Sequence, residues 1–166
     1  MKMDSLKKLW VHELKDLYSA ENQIIEALPR VIDAVQDDDL KKAYQDHQQK
    51  TREHVKRLET IFAGLDFEPG GHRCVGMEGL LKEVKDILNG DVDDGVVDAA
   101  LVAATQRIEH YEIAGYGVAR TFAEKLGEKD AADLLQKTLE EEGLADITLT
   151  RLAERRLNFE AMTAGR

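Results

Sequence analysis

The sequence holds one cysteine, Cys74, and two prolines, Pro29 and Pro69, in 166 residues. A lone cysteine excludes an intrachain disulfide and fits a reducing compartment. Aromatic residues make up only 5% of the chain. A β-sandwich needs more aromatic and β-branched residues and frequent turn signals, so that class is excluded. Positive charge is also scarce: 23 Lys and Arg stand against 33 Asp and Glu, a formal net charge of −10. Nucleic acid and anionic lipid surfaces recruit basic patches, so neither nucleic acid nor membrane is expected as a partner. No apolar run approaches the roughly 18 residues of a membrane span. Residues 1–18 show no apolar signal core. There is no glycine-rich phosphate loop, no Gly-x-Ser-x-Gly elbow and no Cys-x-x-Cys pair, so no catalytic residue is assigned. With 43% hydrophobic residues the chain has enough apolar material for a core, and a cytoplasmic helical domain is expected.

Hydrophobic periodicity then predicts four long helices, at about 5–35, 39–62, 93–126 and 129–159. The first carries Leu6, Leu9, Leu14, Leu17, Ile24, Leu28 and Ile32 on one stripe, and Pro29 predicts a kink or break near its end. Gly64 and Gly127 follow the second and third helices as C-terminal stops. Between them, residues 64–95 contain Glu68-Pro69-Gly70-Gly71, Cys74 and a short amphipathic helix at about 77–89. Two short connections and one long central crossover predict an all-α, ferritin-like four-helix bundle, a single domain over 1–166.

The chemistry lies in ionisable residues placed on the apolar stripes. Glu21 falls between Leu17 and Ile24; His47 and His54 between Tyr44 and Leu58; Glu109 and Glu112 between Thr105 and Tyr116; Glu142 and Asp146 between Leu135 and Leu149. Each one alone is as readily a stripe-edge residue reaching water. Together they sit near mid-length on all four helices, where side chains of a bundle share one level. Unpaired buried carboxylates are costly, and several facing each other repel unless protonated or bound to cations. Spacing of i and i+3 puts Glu109 and Glu112 on one face, and i and i+4 does the same for Glu142 and Asp146. Carboxylates and imidazole together suit hard or borderline divalent metals. Within the run at 140–142, Glu140 and Glu141 read as solvated, leaving Glu142 as the inward member.

The segments HELKDLYSAENQIIEALP, CVGMEGL, AALVAATQRIEHYEIAGYG and LLQKTLEEEGLADITLTRLA closely resemble the YciF/YciE-like bacterial proteins. The resemblance covers nearly the whole chain, and IEHYEIAGYG is its most specific element. It implies a ferritin-like fold, a link to stress responses and a dinuclear metal centre, with Glu21, Glu109, Glu112, Glu142 and Asp146 at the family's acidic positions. Helix 2 departs from that pattern. Gln49 and Lys50 stand where the family commonly shows an acidic pair, and Thr51 lies three residues before His54.

Two functional expectations follow. The first is a metal-binding stress protein holding iron or manganese, dinuclear or mononuclear, through Glu21, His54, Glu109, Glu112, Glu142 and Asp146, with Tyr116 or Tyr111 nearby. The second is a non-enzymatic structural or interaction bundle in which the acidic cluster is neutralised by Lys50, Arg107 or protons rather than by metal, with the Lys50 ammonium entering the cluster. A homodimer is expected, with Trp10, Phe62, Phe67, Met77, Leu80 and Leu81 supplying extra apolar surface. Cys74 reads as a surface or half-buried structural thiol.

Overall fold

The structure is a computed structural model that describes residues 2–164. Four long helices, α1 (Leu6–Ala34), α2 (Asp38–Ala63), α4 (Asp94–Leu126) and α5 (Lys129–Leu152), form the bundle. The crossover between α2 and α4 carries α3 (Val75–Asn89). A π-helical turn (Ala153–Leu157) follows α5 and leads into α6 (Asn158–Ala164).

Local chemistry sets these boundaries. The Ser5 hydroxyl accepts from the Lys8 amide and starts α1, and the Asp37 carboxylate accepts from Leu40 and starts α2. Gly127 adopts φ 78°, the left-handed conformation that ends α4 and that a side chain would resist. Contrary to the expected break, α1 runs unbroken through Pro29. Pro29 is exposed, so the carbonyl it leaves without a donor lies on the outer side of the helix. The last long helix also differs from the expected 129–159. It widens into the π turn after Leu152, which keeps both Ala153 and Leu157 in the core.

Neighbouring helices run antiparallel in the cyclic order α1–α2–α5–α4. Tyr18 reaches Glu59 and Arg57 reaches Thr138, while Gln106 reaches Thr150 and the Asp98 carboxylate accepts from the Gln36 and Asp37 amides. The crossover spans the bundle length because α2 and α4 point the same way. It lays α3 against α1 and α4. Cys74 is fully buried rather than half-buried, and its thiol accepts from the Met77 amide at the start of α3. Trp10, Phe62 and Met77, expected as interface surface, are buried within the chain's own core.

That core is divided. One apolar cluster gathers Ile24, Leu28, Leu101, Ile108, Leu149 and the inner face of α3; the other gathers Trp10, Leu14, Leu58, Tyr116, Ala119 and Leu135. The layer between them is where the inward-facing ionisable residues lie.

Candidate metal centre

Each of the four long helices contributes to this layer. Glu21 of α1, His54 of α2, Glu109 and Glu112 of α4 and Glu142 of α5 are each at most 2% exposed, and His47 of α2 is 9% exposed. Their ligand atoms form two overlapping groups. Glu21, His54 and Glu142 make one; His47, Glu109, Glu112 and Glu142 make the other. Within each group the donor atoms lie within 4.8 Å of one another, and Glu142 belongs to both. Small polar residues make room for them. Thr51 is fully buried, and its hydroxyl turns back to the His47 carbonyl at 2.9 Å instead of reaching into the layer.

The cluster is under-satisfied. Glu21 Oε2, Glu109 Oε2, both oxygens of Glu112, both oxygens of Glu142 and His54 Nδ1 are buried without a hydrogen-bond partner among the described residues. His54 Nδ1 lies 2.9 Å from Glu142 Oε1 and 3.3 Å from Glu21 Oε1, yet it is aligned with neither as a donor. These buried oxygen and nitrogen atoms are of the type a divalent cation accepts as ligands.

The titration behaviour has the same origin. Burial, then the charges of Glu142 and Glu21, push the Glu109 and Glu112 carboxyls well above the usual carboxylate range. Burial opposes the His54 imidazolium, but Glu21 and Glu142 outweigh it and raise His54 to about 10. Glu142 resists its own burial through the His54 and Glu109 contacts and stays below the usual range. Burial and mutual repulsion thus favour proton retention on Glu109 and Glu112, the surrounding carboxylates favour the His54 imidazolium, and a bound cation would compete with these protons.

A second layer fixes the ligands. Tyr116 is fully buried and donates its hydroxyl proton to Glu21 Oε1. His54 Nε2 meets Glu141 Oε2 at 3.0 Å. Glu141 is held in turn by the Arg57 guanidinium at 2.6 and 3.1 Å, and Arg57 also donates to Thr138 at 3.0 Å. This carboxylate chain leaves the Nδ1 face of His54 turned to the cluster.

Several expectations are revised by the geometry. Asp146 joins neither ligand group: Gln106 Nε2 donates to its Oδ1 at 2.9 Å and His110 lies 3.3 Å away. Lys50 does not enter the acidic layer. Its side chain is 47% exposed and its ammonium pairs with Glu53 at 3.2 Å and Glu141 at 3.6 Å. Tyr111 is directed away, its hydroxyl bonded to Asp16 at 2.6 Å beside Cys74. His47, left outside the expected ligand set, belongs to the second group. Glu141, read as solvated, is the partner of His54. Its position next to Glu142 and one turn from Thr138 was the available signal.

The class defined by this fold and layer is an all-α four-helix bundle with a buried carboxylate–histidine centre between two apolar cores. The chain belongs to the family described as Domain of unknown function (DUF892), whose model matches residues 5–162. It is 39% identical over 162 residues to the Escherichia coli protein YciF, covering 97% of this chain and 98% of that one. The crystal structure of that E. coli protein, described as a stress protein, superposes with a TM-score of 0.90 over 94% of this chain and 99% of that chain. YcfI of Rhodopseudomonas palustris is 37% identical with a TM-score of 0.86, covering 90% of this chain and 97% of its own. A Xanthomonas campestris protein at 17% identity shares the fold, with a TM-score of 0.79 over 98% of this chain and 100% of that chain.

Proposed function

We propose that this protein is a metal-binding bundle of the bacterial stress response, holding two divalent iron or manganese ions in its central layer. The observation that carries the reading is the set of buried oxygens of Glu21, Glu109, Glu112 and Glu142, with His54 Nδ1, that have no hydrogen-bond partner among the described residues. Those carboxylates bring four negative charges when ionised, which two divalent cations balance. Glu21, His54 and Glu142 would hold one ion, and His47, Glu109 and Glu112, with Glu142 common to both groups, would hold the other. The stress connection comes from the likeness to the E. coli stress protein.

When bound, iron or manganese would supply a Lewis-acidic or redox-active centre. The chain's own residues define its surroundings. Tyr116 orients Glu21, Glu141 fixes the tautomer and angle of His54, and the two flanking apolar clusters keep bulk water out of the layer. In the structural alternative neither Lys50, at the surface with Glu53 and Glu141, nor Arg107, at the surface with Glu83, neutralises the layer, so protons on its carboxyls would have to do so.

The test is metal analysis of protein purified without chelators and then loaded anaerobically with ferrous or manganous ion. About two ions per chain are expected, falling sharply in Glu112→Gln and Glu142→Gln. A wild-type content below about 0.3 per chain after loading overturns the reading.

A further inference from the structure

A cleft of about 220 Å³ opens between α2 and α5 and reaches the central layer. Its mouth carries Asp46, Lys50 and Leu144, and its inner end is formed by His47 and Glu109. Negative groups are graded along it. Asp46 is exposed, Glu141 is 16% exposed, and Glu109 at the inner end is 3% exposed with Oε2 unpartnered. His47 lines the cleft and is the most exposed member of the two ligand groups; its Nε2 lies 3.6 Å from Glu109 Oε1. On the other side of His47 and Glu109 is a cavity of only about 20 Å³, walled by Ile24, Leu28, Val31, Val84 and Ile108, with room for about one water. That side is apolar and covered by α3.

We infer that divalent cations enter the centre through the α2/α5 cleft, with His47 as the first inner ligand and Lys50 as the gate at the mouth. The inference rests on the proposed metal-binding function and adds its route. A cation passing inward meets Asp46, then Glu141 and His47, then the free oxygen of Glu109. The Lys50 ammonium ties Glu53 on α2 to Glu141 on α5 across this path. It opposes an incoming cation by charge and occupies Glu141, yet it is exposed and free to swing aside. The cleft carries more carboxylates than ammonium groups, so an anion is disfavoured at its inner end.

The experiment follows loading of the full chain with cobaltous ion by stopped-flow absorption and measures the final stoichiometry by equilibrium dialysis. Lys50→Gln removes the gate charge at an exposed position, and loading is expected to accelerate about threefold or more. Ala145→Phe places a ring in the cleft, and loading is expected to slow about tenfold or more. Both variants are expected to reach the wild-type stoichiometry, since neither residue is a ligand. Unchanged or reversed rates in the two variants, with wild-type stoichiometry, overturn the route alone. Lost stoichiometry in Lys50→Gln overturns its role as a gate. Failure of the wild-type chain to take up cobalt at equilibrium overturns the metal-binding function itself.

Discussion

Replacing Glu112 by methionine separates what the cluster costs from what it binds. Both Glu112 oxygens are buried without a partner, and the side chain is 0% exposed. Each unsatisfied buried polar group costs about 1–3 kcal/mol, so an unbranched apolar side chain of similar shape should stabilise the metal-free protein by about that much. At roughly 2–4 °C per kcal/mol for a chain of this size, apo Glu112→Met should melt about 2–12 °C above apo wild type. The gain should grow with pH. The Glu112 carboxyl is held well above its usual value, so the fold binds a proton that the unfolded chain has released. Stability from that proton is present at low pH and is lost as pH rises from the ordinary carboxylate range toward the raised value. Glu112→Met removes this contribution and flattens the decline. The same variant should lose the stabilisation that manganese gives wild type, about 2.7 kcal/mol at a metal concentration 100-fold above Kd. Calorimetry of both proteins with and without manganese across pH 5–9 is the assay. A lower apo Tm for Glu112→Met would refute the reasoning, because Glu112 would then be satisfied inside the fold without a cation.

Other perturbations reach the supporting structure. Glu141→Ala frees His54 Nε2 and leaves Arg57 with only the longer carboxylate contact to Glu53 at 3.5 Å, and metal affinity by titration calorimetry should fall about 10- to 100-fold while the helical circular dichroism is kept. Asp98→Ala strands the amides of Gln36 and Asp37 at the α1–α2 turn, and urea unfolding should show a loss of about 1–3 kcal/mol. Burial, then the hydrogen bond with Asp16, raises the Cys74 thiol above its ordinary value, so alkylation by iodoacetamide at pH 8 should be slow in the folded protein and fast in denaturant. Gly115 lies against α1, where an added Cβ would meet Leu17 Cδ2 at 2.8 Å; Gly115→Ala should cost about 1–3 kcal/mol in the same urea experiment.

The four long helices and the level of the polar layer were legible because periodicity places whole side-chain stripes. Glu21, Glu109, Glu112 and Glu142 could be placed inside for that reason. Side chains at the stripe edge were less legible. Lys50 and Asp146 each stand four residues from a ligand, His54 and Glu142, or about 40° away around the helix. At that angle a neighbour decides the direction: Glu53 and Glu141 draw Lys50 outward, and Gln106 holds Asp146 one turn beyond the ligand layer. Glu141 is the converse case, an edge carboxylate drawn inward because Arg57 and His54 face it from α2. Pro29 does not break α1 because its outer side faces solvent, which local propensity ignores, and the π turn at Ala153–Leu157 has no periodic signature separable from an ordinary helix end.

The most direct measurement is a crystal structure of metal-loaded protein with anomalous diffraction recorded at the iron and manganese edges. The account predicts two anomalous peaks flanking the Glu142 carboxylate, one beside Glu21 and His54 Nδ1 and the other beside His47 and Glu109. An empty central layer after loading, or peaks confined to the Asp146–His110 pair near the surface, would contradict it.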